Sequence, residues 1–198
     1  MLAHYGFPVS QSFPLRVKAG DIVLFSHNRV HGVIIKVATS SRWNHIGVVM
    51  PGHLKPNNLR VLHATTAGVT IHSLAGTLNA WAKNKRVCMA FRRVLDAPTE
   101  DLKEIESILT NFYMSIEGRP YGNLGVMMKA VLHTNQESDL STLFCSELVA
   151  ACFKELGLLA KDTVSSNYVP GDFAKANFKL LKGSLSPVIK VHRPSDRR

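Results

Sequence analysis

The strongest constraint in this chain is the order in which its hydrophobic periods change. Up to residue 92 the apolar residues come in short runs of strand type, such as Ile22-Val23-Leu24-Phe25 and His45-Ile46-Gly47-Val48-Val49-Met50. After Pro98 the period lengthens, and Leu102, Ile105, Ile108, Leu109, Phe112, Tyr113 and Ile116 recur at helical spacing. Strand-like runs return near 178–182 and 187–192. Strands first, helices second and strands last do not make alternating βαβ units, so the expected class is α+β.

Turn chemistry separates the runs. Ala19-Gly20-Asp21 leads into the first strand, and a short helix is predicted over 32–39. Strands are predicted at 45–50, 60–65 and 68–72, divided by a loop with Pro51, Gly52, Pro56, Asn57 and Asn58 and by the tight Ala67-Gly68 connection. Leu74–Trp81 reads as a helix and Arg86–Arg92 as a strand. Thr99 with the acidic residues after it starts the long helix, which Gly118 ends. A second helix is predicted from Gly122 to His133 and a polar loop over 134–142. Ser141 or Thr142 is expected to cap a further helix that runs to Leu156 before Gly157. A short element begins at Val169-Pro170-Gly171-Asp172-Phe173.

The 198 residues and 45% hydrophobic content suit one domain over 19–192, with an irregular segment 1–18 and a basic tail 193–198. The net charge of +10 favours anionic partners. Its cations are scattered, without zinc spacing, an aromatic RNA motif or a basic helix, which argues against nucleic acid and leaves an anionic membrane surface or an acylated substrate. Three cysteines without paired spacing point to reduced thiols. With no signal-type apolar region at the start, and a longest apolar stretch, Leu124–Leu132, interrupted by Lys129, the expected setting is cytoplasmic, with peripheral membrane contact compatible.

One cysteine stands apart from the others. Cys145 shares an apolar stripe with Val149, Cys152, Phe153 and Leu156, which is the pattern of a buried core thiol. Its place in the first helical turn, however, puts it where free N–H groups and the helix dipole favour an anion, so a lowered pKa is expected. Cys88 and Cys152 have no such position and read as structural. A base is available on the strands: His45 and His63 fall on one face of a hairpin if opposed residues have an even index sum near 108–110, and on opposite faces if the sum is odd. His72 can share that face one strand further away, whereas His4, His27, His31, His53, His133 and His192 have no supporting pattern. There is neither an HExxH run nor paired cysteines, so no metal and no cofactor is expected.

In order along the chain, Gly20-Asp21-Ile22-Val23-Leu24, Asn44-His45-Ile46-Gly47-Val48-Val49, Val61-Leu62-His63-Ala64 with Gly68-Val69, Phe144-Cys145-Ser146-Glu147-Leu148-Val149 and Pro170-Gly171-Asp172-Phe173 resemble the circularly permuted branch of the NlpC-type papain-like superfamily. That branch includes YiiX-like bacterial proteins, a poxvirus group and, more distantly, lecithin:retinol acyltransferase-like enzymes. The resemblance covers residues 19–177 and implies a permuted papain-like fold, with a small antiparallel sheet or barrel packed against helices, and a thiol-dependent hydrolase or acyltransferase acting on an amide, ester or thioester. It implies Cys145 as nucleophile, His45 as general base and His63 in the third polar position, where many permuted members carry glutamate. Tyr121, in Gly118-Arg119-Pro120-Tyr121-Gly122, matches a recurring Gly-x-x-Tyr element that either lines the pocket or simply packs; it and Ser146, beside the nucleophile, are the two substrate-binding positions. The chemistry requires the thiol to meet the imidazole across a groove open to solvent. The alternative is a non-catalytic module of the same fold that holds a small ligand or lipid beside Cys145.

Overall fold

The computed structural model describes residues 17–28, 30–52, 58–84, 86–99, 101–122, 129–132, 134 and 139–191, with backbone alone for Val30 and His31. The segment 1–16 and the tail 193–198 lie outside the described residues, as do most of the helix predicted over 122–133 and part of the polar loop that follows it.

Gly20, in the left-handed region at φ 87°, turns the chain into β1 (Ile22–Ser26). All five residues of β1 are buried, which is why its sequence runs apolar without alternation. It lies inside a six-stranded antiparallel sheet of order β4-β3-β2-β1-β5-β8, formed by β2 (His45–Met50), β3 (Arg60–Thr65), β4 (Gly68–Ser73), β5 (Cys88–Arg92) and β8 (Ile189–Val191). A separate pair joins β6 (Val94–Leu95) to β7 (Ser184–Leu185).

Both faces of the sheet are covered. Leu24, Ile46, Val48, Leu62 and Ala90 face the main core with α3 (Leu102–Ile116) and α4 (Cys145–Glu155). Val23, Phe25, Val49, Val61 and Phe91 face the other way, with Leu78, Trp81 and Ala82 of α2 (Leu74–Ala82) packed on them. Asp101 caps α3 by accepting from Lys103 N–H, and Ser73 caps α2 by accepting from Gly76 N–H. Every residue of α4 from Cys145 to Phe153 is buried, so this helix is the axis of the core. Among the described residues no helix is long and apolar enough to cross a membrane.

The last strands differ from expectation. Residues 178–182 form no strand, and the extended pieces are Ser184–Leu185 and Ile189–Val191. Phe178 and Leu180 pack against the main core instead, Phe178 stacking on Phe173 at 4.9 Å, and the Leu181 N–H donates to Leu158 O. Arg92 fastens this returning segment. Its side chain is fully buried and donates to the carbonyls of Phe173, Lys175, Leu185 and Ser186. Burial pulls its pKa down, yet a guanidinium keeps its charge. Arg92→Met leaves four carbonyls without their donor, and urea unfolding of this variant is expected to show a loss of about 3–5 kcal/mol.

Candidate active site

The site is built where β2 and β3 separate. Their ladder pairs Met50 with Arg60, Val49 with Val61 and Val48 with Leu62, and stops there, while β3 continues alongside β4 as far as Thr65↔Gly68. The index sum is 110, so His45 and His63 share a face and lie diagonally, with Gly47 in the position opposite His63. A Cβ at Gly47 would lie 2.6 Å from Val61 Cγ2 and 3.2 Å from His63 Cβ, so the absence of a side chain there permits the close approach. The two rings are joined directly, His45 Nε2 to His63 Nδ1, at 2.9 Å.

Trp81, from α2, stacks on His45 at 5.5 Å and 7° between planes, and Phe25 of β1 lies 5.5 Å from the same ring. His27 packs on the indole at 5.2 Å, and His72 meets His63 edge-on at 5.4 Å. Asn44 holds the start of β2: its Oδ1 accepts from His27 N–H, and its Nδ2 donates to the carbonyls of His27 and Gly32 in α1 (Val30–Thr39). Enclosed in this way, both imidazoles strongly favour the neutral form. His45 is held well below its ordinary pKa by burial and then by His63, and His63 is lowered to about 4 by burial and then by His72.

Cys145 approaches from the core side, as the first residue of α4. The helix start is not capped by Ser141 or Thr142. Phe144 is the N-cap residue, and Glu147 reaches back to accept from its N–H. Glu147 supplies from inside the helix the polar contact expected from a hydroxyl outside it. The thiol faces the N–H of Ile46, the peptide that follows His45, together with the Tyr121 hydroxyl and the N–H groups of Ser146 and Cys145. Tyr121 is held there by a bridge to Leu143 and an edge-on contact with Phe144 at 5.3 Å.

Two expectations for the thiol are corrected. Its pKa is raised to about 11 because burial outweighs all four donors. It is also 2% exposed, so it sits under cover and not in an open groove. A first-turn position favours a thiolate only where the charge keeps some hydration, and here the helix start is inside the core. The structure thus brings Tyr121 and the backbone of Ser146 to Cys145, and His63 to His45, but on opposite faces of β2: the His45 ring shares the α2 face with Phe25 and Trp81, the thiol meets the Ile46 N–H from the core side, and the expected contact of sulfur with imidazole is not made among the described residues. His27, which has no supporting pattern in the sequence, belongs to the site through Trp81, and Trp81 itself was not among the expected site residues. A tryptophan at the end of a short helix carries no local mark of the ring it covers.

A family model described as permuted papain-like amidase enzyme, YaeF/YiiX, C92 family, matches residues 16–169. The chain belongs to this family. C92 membership makes it a papain-like hydrolase of amidase type with a permuted order. Among solved structures it is similar to the metalloprotein YiiX from Escherichia coli O157:H7, with a TM-score of 0.54 and 18% identity, covering 90% of this chain and 98% of that one. That likeness shows the fold. No curated protein matches the chain.

The imidazole pair makes stability depend on pH. A folded pKa near 4 against an ordinary 6.5 means that the unfolded chain binds more protons between those values, so His63 costs stability as pH falls from 6.5 to 4. Asp21 acts in the opposite sense: burial raises its pKa from 3.8 to about 6, so it costs stability as pH rises through that range. Replacing one group isolates its share. His63→Gln is expected to lose a pH dependence of up to about 1.4 kcal/mol per pH unit between 6.5 and 4, measured by urea titration at several pH values.

Proposed function

We propose that this C92 protein is a cysteine amidase in which Cys145 is the nucleophile, His45 the general base and His63 the acceptor that orients it. The observation that carries this reading is the 2.9 Å bond from His45 Nε2 to His63 Nδ1, made at the peptide against which the thiol rests. With His63 bonded to Nε2, His45 has Nδ1 left for a proton in transit. Two neutral rings beside a neutral thiol mean that ionisation accompanies attack.

In this mechanism the substrate carbonyl enters beside Cys145. Sulfur forms a bond to the carbonyl carbon as its proton passes to His45. The oxyanion is received by N–H groups at the start of α4, those of Cys145 and Ser146, and the Tyr121 hydroxyl lines the same place. The His45 imidazolium then gives its proton to the leaving nitrogen, the C–N bond breaks, and a thioester remains on Cys145. Water completes hydrolysis, and an amine or alcohol in its place completes acyl transfer. The scissile bond is an amide in this reading, with an ester or thioester open to the same steps. The net charge of +10 supports a substrate that is anionic or presented at an anionic lipid surface. Reduced thiols at Cys88, Cys145 and Cys152 support a cytoplasmic setting. The structural relative is described as a metalloprotein. Among the described residues of this chain, no group of three or more His, Cys, Asp or Glu side chains is arranged to hold a metal ion.

The burial of the thiol and its raised pKa favour a second reading, a binding module that uses the same fold without turnover. Activated acyl esters and amides separate the two. As an amidase, the protein accumulates an acyl group on Cys145, seen by mass spectrometry. Cys145→Ala abolishes this, and His45→Ala slows it by about 10²–10⁴-fold. Acylation that is absent, or spread equally over Cys88 and Cys145, supports the binding module instead.

A further inference from the structure

Three imidazoles run from the buried site to solvent across β2, β3 and β4. His45 and His63 are bonded at 2.9 Å, His63 and His72 meet edge-on at 5.4 Å, and His72 is exposed. The β3–β4 register, Val61↔His72 and His63↔Thr70, holds the second and third rings on one face. We propose that His72 is a positioning residue that keeps His63 neutral and, through it, keeps His45 in the tautomer whose Nδ1 can take a proton. This rests on the reading of His45 as the base.

A neutral imidazole has one N–H. If His45 Nδ1 is to receive the thiol proton, the ring's own proton must sit on Nε2 and be donated to His63 Nδ1. The proton of His63 is then on Nε2. That atom is buried without a hydrogen-bond partner among the described residues, as is Oγ1 of Thr70, the residue directly opposite in the ladder. A second proton on His63 makes both of its nitrogens donors. His45 Nε2 must then accept, its proton moves to Nδ1, and the base is blocked. The acid limit of the site is therefore set by charging of His63, one residue removed from the base itself.

Few groups can influence that charging. His45 faces His63 from β2 and His72 faces it from β4, while α2 carries no ionisable residue over Leu74–Ala82. The fourth neighbour, α4, packs on the Leu62 and Ala64 side of β3. His27 lies beyond Trp81 and acts on His45. A carboxylate in the third position would accept from His45 at any pH above its own protonation. A histidine there accepts only while neutral, so a neighbouring imidazole that discourages its protonation has a use. His72 acts on His63 in that direction, second to burial.

Ring-nitrogen NMR of the full chain tests this without reference to turnover. Replacing the exposed His72 by Gln is expected to raise the His63 titration midpoint by about half a pH unit, and His72→Glu by about one or more. In each variant His45 is expected to change from the Nε2–H to the Nδ1–H form over the same pH range. The rate of Cys145 acylation falls in step on the acid side and equals that of the wild type above neutrality. A His63 midpoint unmoved in both variants, or a His45 tautomer indifferent to the charge on His63, overturns the proposal. Failure of the base reading looks different: the ring titrations shift as described, and acylation does not follow them.

Discussion

The site depends on one interruption of a hydrogen-bond ladder. β2 and β3 pair from Met50↔Arg60 to Val48↔Leu62 and then part. Had the pairing continued, the Ile46 N–H would have been used by the β3 backbone. Parting leaves that N–H to the Cys145 thiol and lets two imidazoles bond across the strands. Gly47 permits it, since any Cβ at that position meets the side chain of Val61. The interruption would weaken an isolated hairpin. Here β1 supports β2 along its other edge, and β4 supports β3 along its whole length.

Burial dominates the electrostatics. The same enclosure that lowers both imidazoles raises the thiol to about 11, so every member of the site rests uncharged. This differs from a thiolate–imidazolium pair formed in advance, which needs hydration or a carboxylate to hold its charges. A neutral resting site suits a third residue that is itself an imidazole. It also makes the transfer of one proton, and not the attraction of two ions, the event on which chemistry turns.

Most elements could be read from local pattern. The strands at 45–50 and 60–65, the helix from Leu102, and the stop at Gly157, with φ 67°, appear where periodicity and turn chemistry put them. The shared face of His45 and His63 stayed open in the sequence, between an even and an odd index sum, and only the ladder, with a sum of 110, decides it. The errors fall where distant contacts override local signals. The cap of α4 lies inside the helix, at Glu147, and not at Ser141 or Thr142. The apolar residues after Lys175 join an aromatic cluster around Phe173 in place of a strand.

By itself, the sequence determined the class of the fold, the permuted order of histidine strand and cysteine helix, and the chemical types available at the site. The class and the chemical types follow from period, spacing and residue identity, which are local properties of the chain, and the permuted order follows from the resemblance of its motifs to a known family. The tertiary structure alone decided the protonation of those groups, the cover of Trp81 over His45, the point where two strands part and the sequence of rings leading to His72. Each of these depends on how much water the fold excludes from a given atom, and that is set by residues far away in the chain.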